Sequence, residues 1–122
     1  MIRGRINSNL DAIVELGISN AAVVHIQPFV VDTGFNGFIA VPQCLVDRLG
    51  LPLRDVQLGI TADGHSSFFD TVEMTVLWHD EAITVQAQIL DEALIGTRLL
   101  RGSRIGADWI RDGKFQIEKM HS

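Results

Sequence analysis

The strictest constraint on this chain is an alternation of apolar and polar residues. Val72, Met74, Val76 and Trp78 alternate with Glu73, Thr75 and Leu77, and beyond His79-Asp80-Glu81 the pattern returns as Ile83, Val85, Ala87 and Ile89 around Thr84, Gln86 and Gln88. A period of two places successive side chains on opposite faces of an extended chain, so each segment reads as a strand with one buried face. With a turn between them, the two form a hairpin. Ala12 to Leu16 and Ala21 to Ile26 read as a second strand pair, turning across Gly17-Ile18-Ser19-Asn20, while Asp63-Gly64 and Asp112-Gly113 suit turns with positive φ. Two stretches break the pattern. Pro42 to Gly50 has proline at its start and glycine at its end, the asymmetry of a short helix, with Leu45, Val46 and Leu49 directed at the core. Thr97 to Arg101, between Gly96 and Gly102, is a second brief helix. The fold class is therefore mainly β with one or two short helices. No repeat, low-complexity tract or linker divides the 122 residues, so residues 1–122 read as a single domain.

A hydrophobic content of 47% is enough for one core. The net charge of -5, with only 10 Lys and Arg, argues against a nucleic-acid partner, which would need a basic surface to neutralise phosphates. Cys44 is the lone cysteine and cannot form an internal disulfide, which points to a reducing, cytoplasmic compartment; it is expected to be a half-buried structural thiol. The first residues, Met1 to Asn7, lack the apolar stretch of a signal peptide, and no apolar run approaches the roughly 20 residues of a membrane-spanning helix, so no membrane partner is expected. His25, His65, His79 and His121 are scattered without metal-ligand spacing, and Gly96 to Gly102 lacks the lysine of a phosphate loop. Neither a metal nor a cofactor is implied. Trp78 and Trp109 end apolar segments and read as core or interface residues.

The segment that could carry chemistry is Phe29-Val30-Val31-Asp32-Thr33-Gly34, an apolar strand that ends in an acid, a small hydroxyl residue and a glycine, although the same three residues also make a plain turn. Gly34 is expected to adopt a backbone conformation closed to other residues, and flanking amides with the Thr33 hydroxyl to fix the Asp32 carboxylate in one orientation. About 60 residues downstream lies Ala93-Leu94-Ile95-Gly96-Thr97-Arg98-Leu99-Leu100-Arg101-Gly102, an apolar strand that meets a glycine and then a short helix.

Val-Asp-Thr-Gly followed by Leu-Ile-Gly-x-x-Leu-Leu resembles the retropepsin-like aspartic proteases. The likeness is greatest to their small bacterial and archaeal branch, because Asp32 to Pro42 continues as Asp-Thr-Gly-Phe-Asn-Gly-Phe-Ile-Ala-Val-Pro. It runs from Val23 to Trp109. What it implies is a closed β-barrel that forms half of the acid-protease fold and is active as a homodimer. Asp32 would be the catalytic carboxylate, Thr33 the residue that locks the two subunits' loops together, and Gly34 part of the substrate-binding backbone. Phe35, Asn36 and Ile95 would contribute to the substrate site, with Leu94, Ile95 and Gly96 packed beneath the loop. Ala62, Asp63 and Gly64 would belong to a flap over a peptide or protein substrate. The family's chain ends interleave at the dimer interface, so Met1 to Ile6 and Lys114 to Glu118 are expected to be exposed strands in need of a partner.

Aspartic proteases use two carboxylates that share one proton across about 3 Å, one acting on water and the other on the carbonyl. The sequence has a single Asp-Thr-Gly, so a two-fold homodimer must supply the second. Four positions depart from the retroviral pattern. Phe35 stands where alanine or serine is usual, Asn36 and Thr97 replace both members of a salt bridge, and Arg98 occupies an Asn or Asp position. The expected activity is that of an aspartic endopeptidase. The alternative is a dimeric peptide-binding or scaffolding module of the same fold, which holds an extended chain by strand addition.

Overall fold

The computed structural model describes residues 1–20, 23–51, 55–60 and 66–121. In chain order the elements are β1 (Ile2–Ile6), β2 (Ala12–Asn20), β3 (Val23–Val31), β4 (Ile39–Val41), α1 (Gln43–Leu49), β5 (Asp55–Ile60), β6 (Ser66–Trp78), β7 (Glu81–Ile89), β8 (Leu94–Ile95), α2 (Thr97–Leu100), β9 (Ser103–Ala107) and β10 (Lys114–Lys119). Among the described residues the chain is mainly β with two short helices, as the sequence pattern implies. No described helix is long and apolar enough to cross a membrane.

All ten described strands join one sheet in the order β5-β6-β7-β4-β8-β3-β2-β1-β10-β9, and a further pairing of β6 with β2 closes six of them into a barrel. The closure is short, Ile18 opposite Val76 and Ser19 opposite Thr75. It falls at Gly17-Ile18-Ser19-Asn20, a stretch with turn composition. Instead of turning at Gly17, β2 runs on to Asn20, with Gly17 opposite Ile26 and Ser19 opposite Val24. The reason is close approach. A Cβ on Gly17 would stand 2.9 Å from Leu77 Cδ1 and 3.0 Å from Val24 Cγ1, so glycine lets β2, β3 and β6 converge at the seam.

The β6–β7 hairpin follows the sequence pattern, pairing Val72 with Ala87 and Trp78 with Glu81. Its turn residues, His79 and Asp80, both have positive φ, 48° and 65°, the backbone twist that two-residue hairpins favour. Val72, Met74, Val76 and Trp78 point inward with Val14, Leu16, Ile18 and Phe29 to make the core. The helix α1 lies between Pro42 and Gly50, which ends it at φ 67°, and buries Leu45, Val46 and Leu49. Cys44 is exposed rather than half-buried. Trp78 belongs to the core, whereas Trp109 is exposed and meets Phe115 edge-on.

The terminal strands also differ from expectation. β1 pairs with both β2 and β10, and β10 with both β1 and β9, so neither lacks a partner. Alternating residues explain this arrangement: Ile6, Phe115 and Ile117 are buried in the same core as the barrel. Each end of the chain is anchored by its own apolar face. Among the described residues, the strand left at that side of the sheet is β9, which pairs only with β10, and at the other side is β5, which pairs only with β6.

Candidate active site

Asp32 follows directly on β3, at the point where β3 runs parallel to β8 with Val31 opposite Ile95. The two short strands β8 and β4 meet the end of β3 here; β4, buried at all three positions, packs antiparallel to β8 with Ile39 opposite Ile95. The Asp32 N–H donates to the Ile95 carbonyl at 2.9 Å, which extends the ladder to the acid itself. Its side chain then turns back, and Oδ1 accepts the Gly34 N–H at 2.8 Å. This two-residue turn holds the carboxylate close to its own loop.

Gly34 matters here for space rather than for a left-handed backbone. It is absent from the residues with positive φ, but a Cβ there would stand 3.2 Å from Asp32 Oδ1 and crowd the hydrogen bond. The expected Thr33 hydroxyl bond to the carboxylate is not formed; Thr33 is exposed, as are Gly34 and Asn36, and Asp32 is half-buried.

From Phe35 to Phe38 the loop crosses the start of α2. The Thr97 N–H donates to the Phe35 carbonyl at 2.9 Å, the Arg98 N–H to the Gly37 carbonyl at 3.2 Å, and the Gly96 N–H to the Phe38 carbonyl at 2.9 Å. These bonds occupy the first amides of α2, which a helix cannot satisfy internally and which no side chain caps here. Gly96 is required for the crossing. A Cβ on it would collide with the Gly37 carbonyl oxygen and lie 2.7 Å from Phe35 Cδ2. Ile95 and Gly96 thus bond to the loop directly, while Leu94 pairs with Val30 and Ala40.

Two site residues behave differently from their sequence reading. Ile95 is fully buried in the core, so its side chain is closed off from any groove and it serves the loop through its carbonyl. Phe35 is half-buried, and its ring lies against Gly37, where a Cβ would stand 2.6 Å from Cζ, and against Gly96. A pair of glycines near one aromatic was the only sign of this in the sequence. Asn36, Thr97 and Arg98 are all exposed, so no charge is buried at these positions. Ala62, Asp63 and Gly64, expected from the resemblance to form a flap, lie outside the described residues. The described strands on either side of them pair antiparallel, with Ile60 opposite Ser66.

A second polar contact, invisible in the sequence, joins His79 Nε2 to the Ser103 hydroxyl at 2.9 Å and links the β6–β7 turn to the start of β9. Burial lowers the pKa of His79, helped by the chain's amino group and Lys119 and opposed by Asp80 and Glu81. Among the described residues no His, Cys, Asp or Glu side chains cluster in a way that would hold a metal ion.

No protein-family model matches the chain, and neither the curated proteins nor the solved structures contain a significant match.

Proposed function

We propose that this chain is one half of a homodimeric aspartic endopeptidase of the retropepsin-like kind. The observation that carries the reading is the crossing itself. An acid at the end of a barrel strand is oriented by the glycine two residues on, in a loop bonded to a second strand–glycine–helix segment. Such a loop presents a carboxylate at fixed direction while leaving Thr33 and Gly34 exposed for a partner and a substrate.

In the dimer, the Asp32 carboxylates of the two chains face each other across the two-fold axis and share one proton. The ionised member takes a proton from a water molecule as its oxygen attacks the scissile carbonyl. The protonated member gives its proton to the carbonyl oxygen. As the resulting diol collapses and the C–N bond breaks, the Asp32 that took the water's proton gives it to the leaving amine, and the other Asp32 takes a proton back from a diol hydroxyl, which restores the shared state. Thr33 contacts its counterpart in the other loop, and the β5–β6 hairpin covers the substrate. Because β1 and β10 are already paired on both sides, β9 is the terminal strand with an edge open to a second copy.

The edges of β9 and β5 also favour a second reading, in which the dimer binds an extended peptide by strand addition without cutting it. Incubation with a diverse peptide library from acidic to neutral pH separates the two. The protease reading expects cleavage that falls at least about 10³-fold in Asp32→Asn and stops with a transition-state-mimicking aspartic-protease inhibitor. A folded dimer that retains peptides and cuts none would replace it with the binding module.

A further inference from the structure

We propose that Phe35 is a positioning residue, whose ring wedges the Asp32 loop onto the start of α2 and so fixes the direction of the carboxylate. The inference rests on the reading of Asp32 as the catalytic group. Phe35 occupies the position after Asp-Thr-Gly, where a side chain could line a cleft, but its ring is folded back between two glycines. Cζ lies over Gly37 in its own loop, and Cδ2 over Gly96 at the start of α2. Glycine at both places leaves the room that the ring fills.

The same ring lies beside the hydrogen bonds that join the two segments. The Phe35 and Gly37 carbonyls accept the Thr97 and Arg98 amides at 2.9 and 3.2 Å. Bonds at a loop crossing next to exposed Thr33, Gly34 and Asn36 would compete with water, and an apolar ring over them lowers that competition. The wedge also offers a physical substitute for the missing ion pair at Asn36 and Thr97: dispersion contacts of an aromatic ring with two backbone segments hold the loop without charge. Phe35, Asp32 and Gly34 are then coupled through the main chain, since the Phe35 N–H donates to the Asp32 carbonyl at 3.1 Å.

The test is amide hydrogen exchange by NMR combined with steady-state peptide hydrolysis, on wild type, Phe35→Leu, Phe35→Ala and Phe35→Tyr. A positioning role predicts exchange about tenfold faster at the Thr97 and Arg98 amides in the Leu and Ala variants, with protection of β6 and β7 unchanged. It also predicts kcat about 10- to 100-fold lower with KM within about twofold, and recovery of both in the Tyr variant, which keeps the ring. Unchanged exchange at Thr97 and Arg98, or a raised KM at constant kcat, would make Phe35 a cleft wall and overturn the proposal. If the wild type hydrolyses no peptide, the protease reading fails, while the exchange data still decide whether the ring holds the loop.

Discussion

The β6–β7 hairpin and the crossing of the Asp32 loop over α2 are built by opposite means. In the hairpin, large side chains do the work: Val72, Met74, Val76 and Trp78 bury one face, and the backbone follows an ordinary antiparallel ladder. In the crossing, the absence of side chains matters most, because Gly34, Gly37 and Gly96 allow main chain and one aromatic ring to come together. A core of the first kind supplies stability through apolar area. A junction of the second kind contributes little area, but fixes where a carboxylate points. The difference predicts that damage to the barrel lowers stability first, whereas damage to the crossing lowers activity first.

Phe29→Ala should have the largest effect on stability. Phe29 is 1% exposed on the strand that leads to Asp32, and its removal should cost about 3–5 kcal/mol in urea unfolding. Peptide cleavage by the fraction still folded should remain near the wild-type rate. Gly96→Ala should show the converse. Relief of the collision with the Gly37 carbonyl should cost about 1–3 kcal/mol, but cleavage should fall about 100-fold as the loop moves. The comparison breaks if Gly96→Ala stays fully active or if folded Phe29→Ala loses activity as severely.

The smallest effect is expected at the His79–Ser103 contact. Ser103→Ala should cost about 1 kcal/mol, because a partly buried hydrogen bond is lost. Acid should affect the same place. The folded-state pKa of His79 lies below 6.5, so the unfolded chain binds the proton more readily. Stability from this group is complete above the unfolded value and declines as pH falls through the folded one. His79→Asn, which tolerates the positive φ of 48°, should show a flatter decline between neutral and mildly acidic pH in urea unfolding. An equally steep decline would assign the acid sensitivity to other groups.

Much of the fold was legible because it rests on local pattern. The alternation at 72–89 specified the hairpin, and Pro42 with Gly50 bracketed α1. What could not be read depends on contacts distant in sequence. Gly17-Ile18-Ser19-Asn20 has turn composition, yet its glycine serves the approach of Leu77 and the seam with β6. β1 and β10 looked exposed until they were found paired with each other, more than a hundred residues apart in sequence, Ile2 opposite Ile117. At the site, Asp32-Thr33-Gly34 and Leu94-Ile95-Gly96 stood out and are brought together. The inward fold of Phe35 and the burial of Ile95 did not, since residue type alone says nothing of which way a ring turns at a loop crossing.

The central claim is that each chain carries half of one catalytic site, and mixing subunits tests it most directly. Wild type and Asp32→Asn chains are combined in equal amounts under conditions that allow random pairing, and Asp32-dependent peptide cleavage is compared with that of undiluted wild type. If both carboxylates are needed, only dimers of two wild-type chains cleave, and activity falls to about one quarter, the square of the wild-type fraction. Activity of about one half, in proportion to the wild-type chains present, would mean that each chain acts alone and would contradict the shared site.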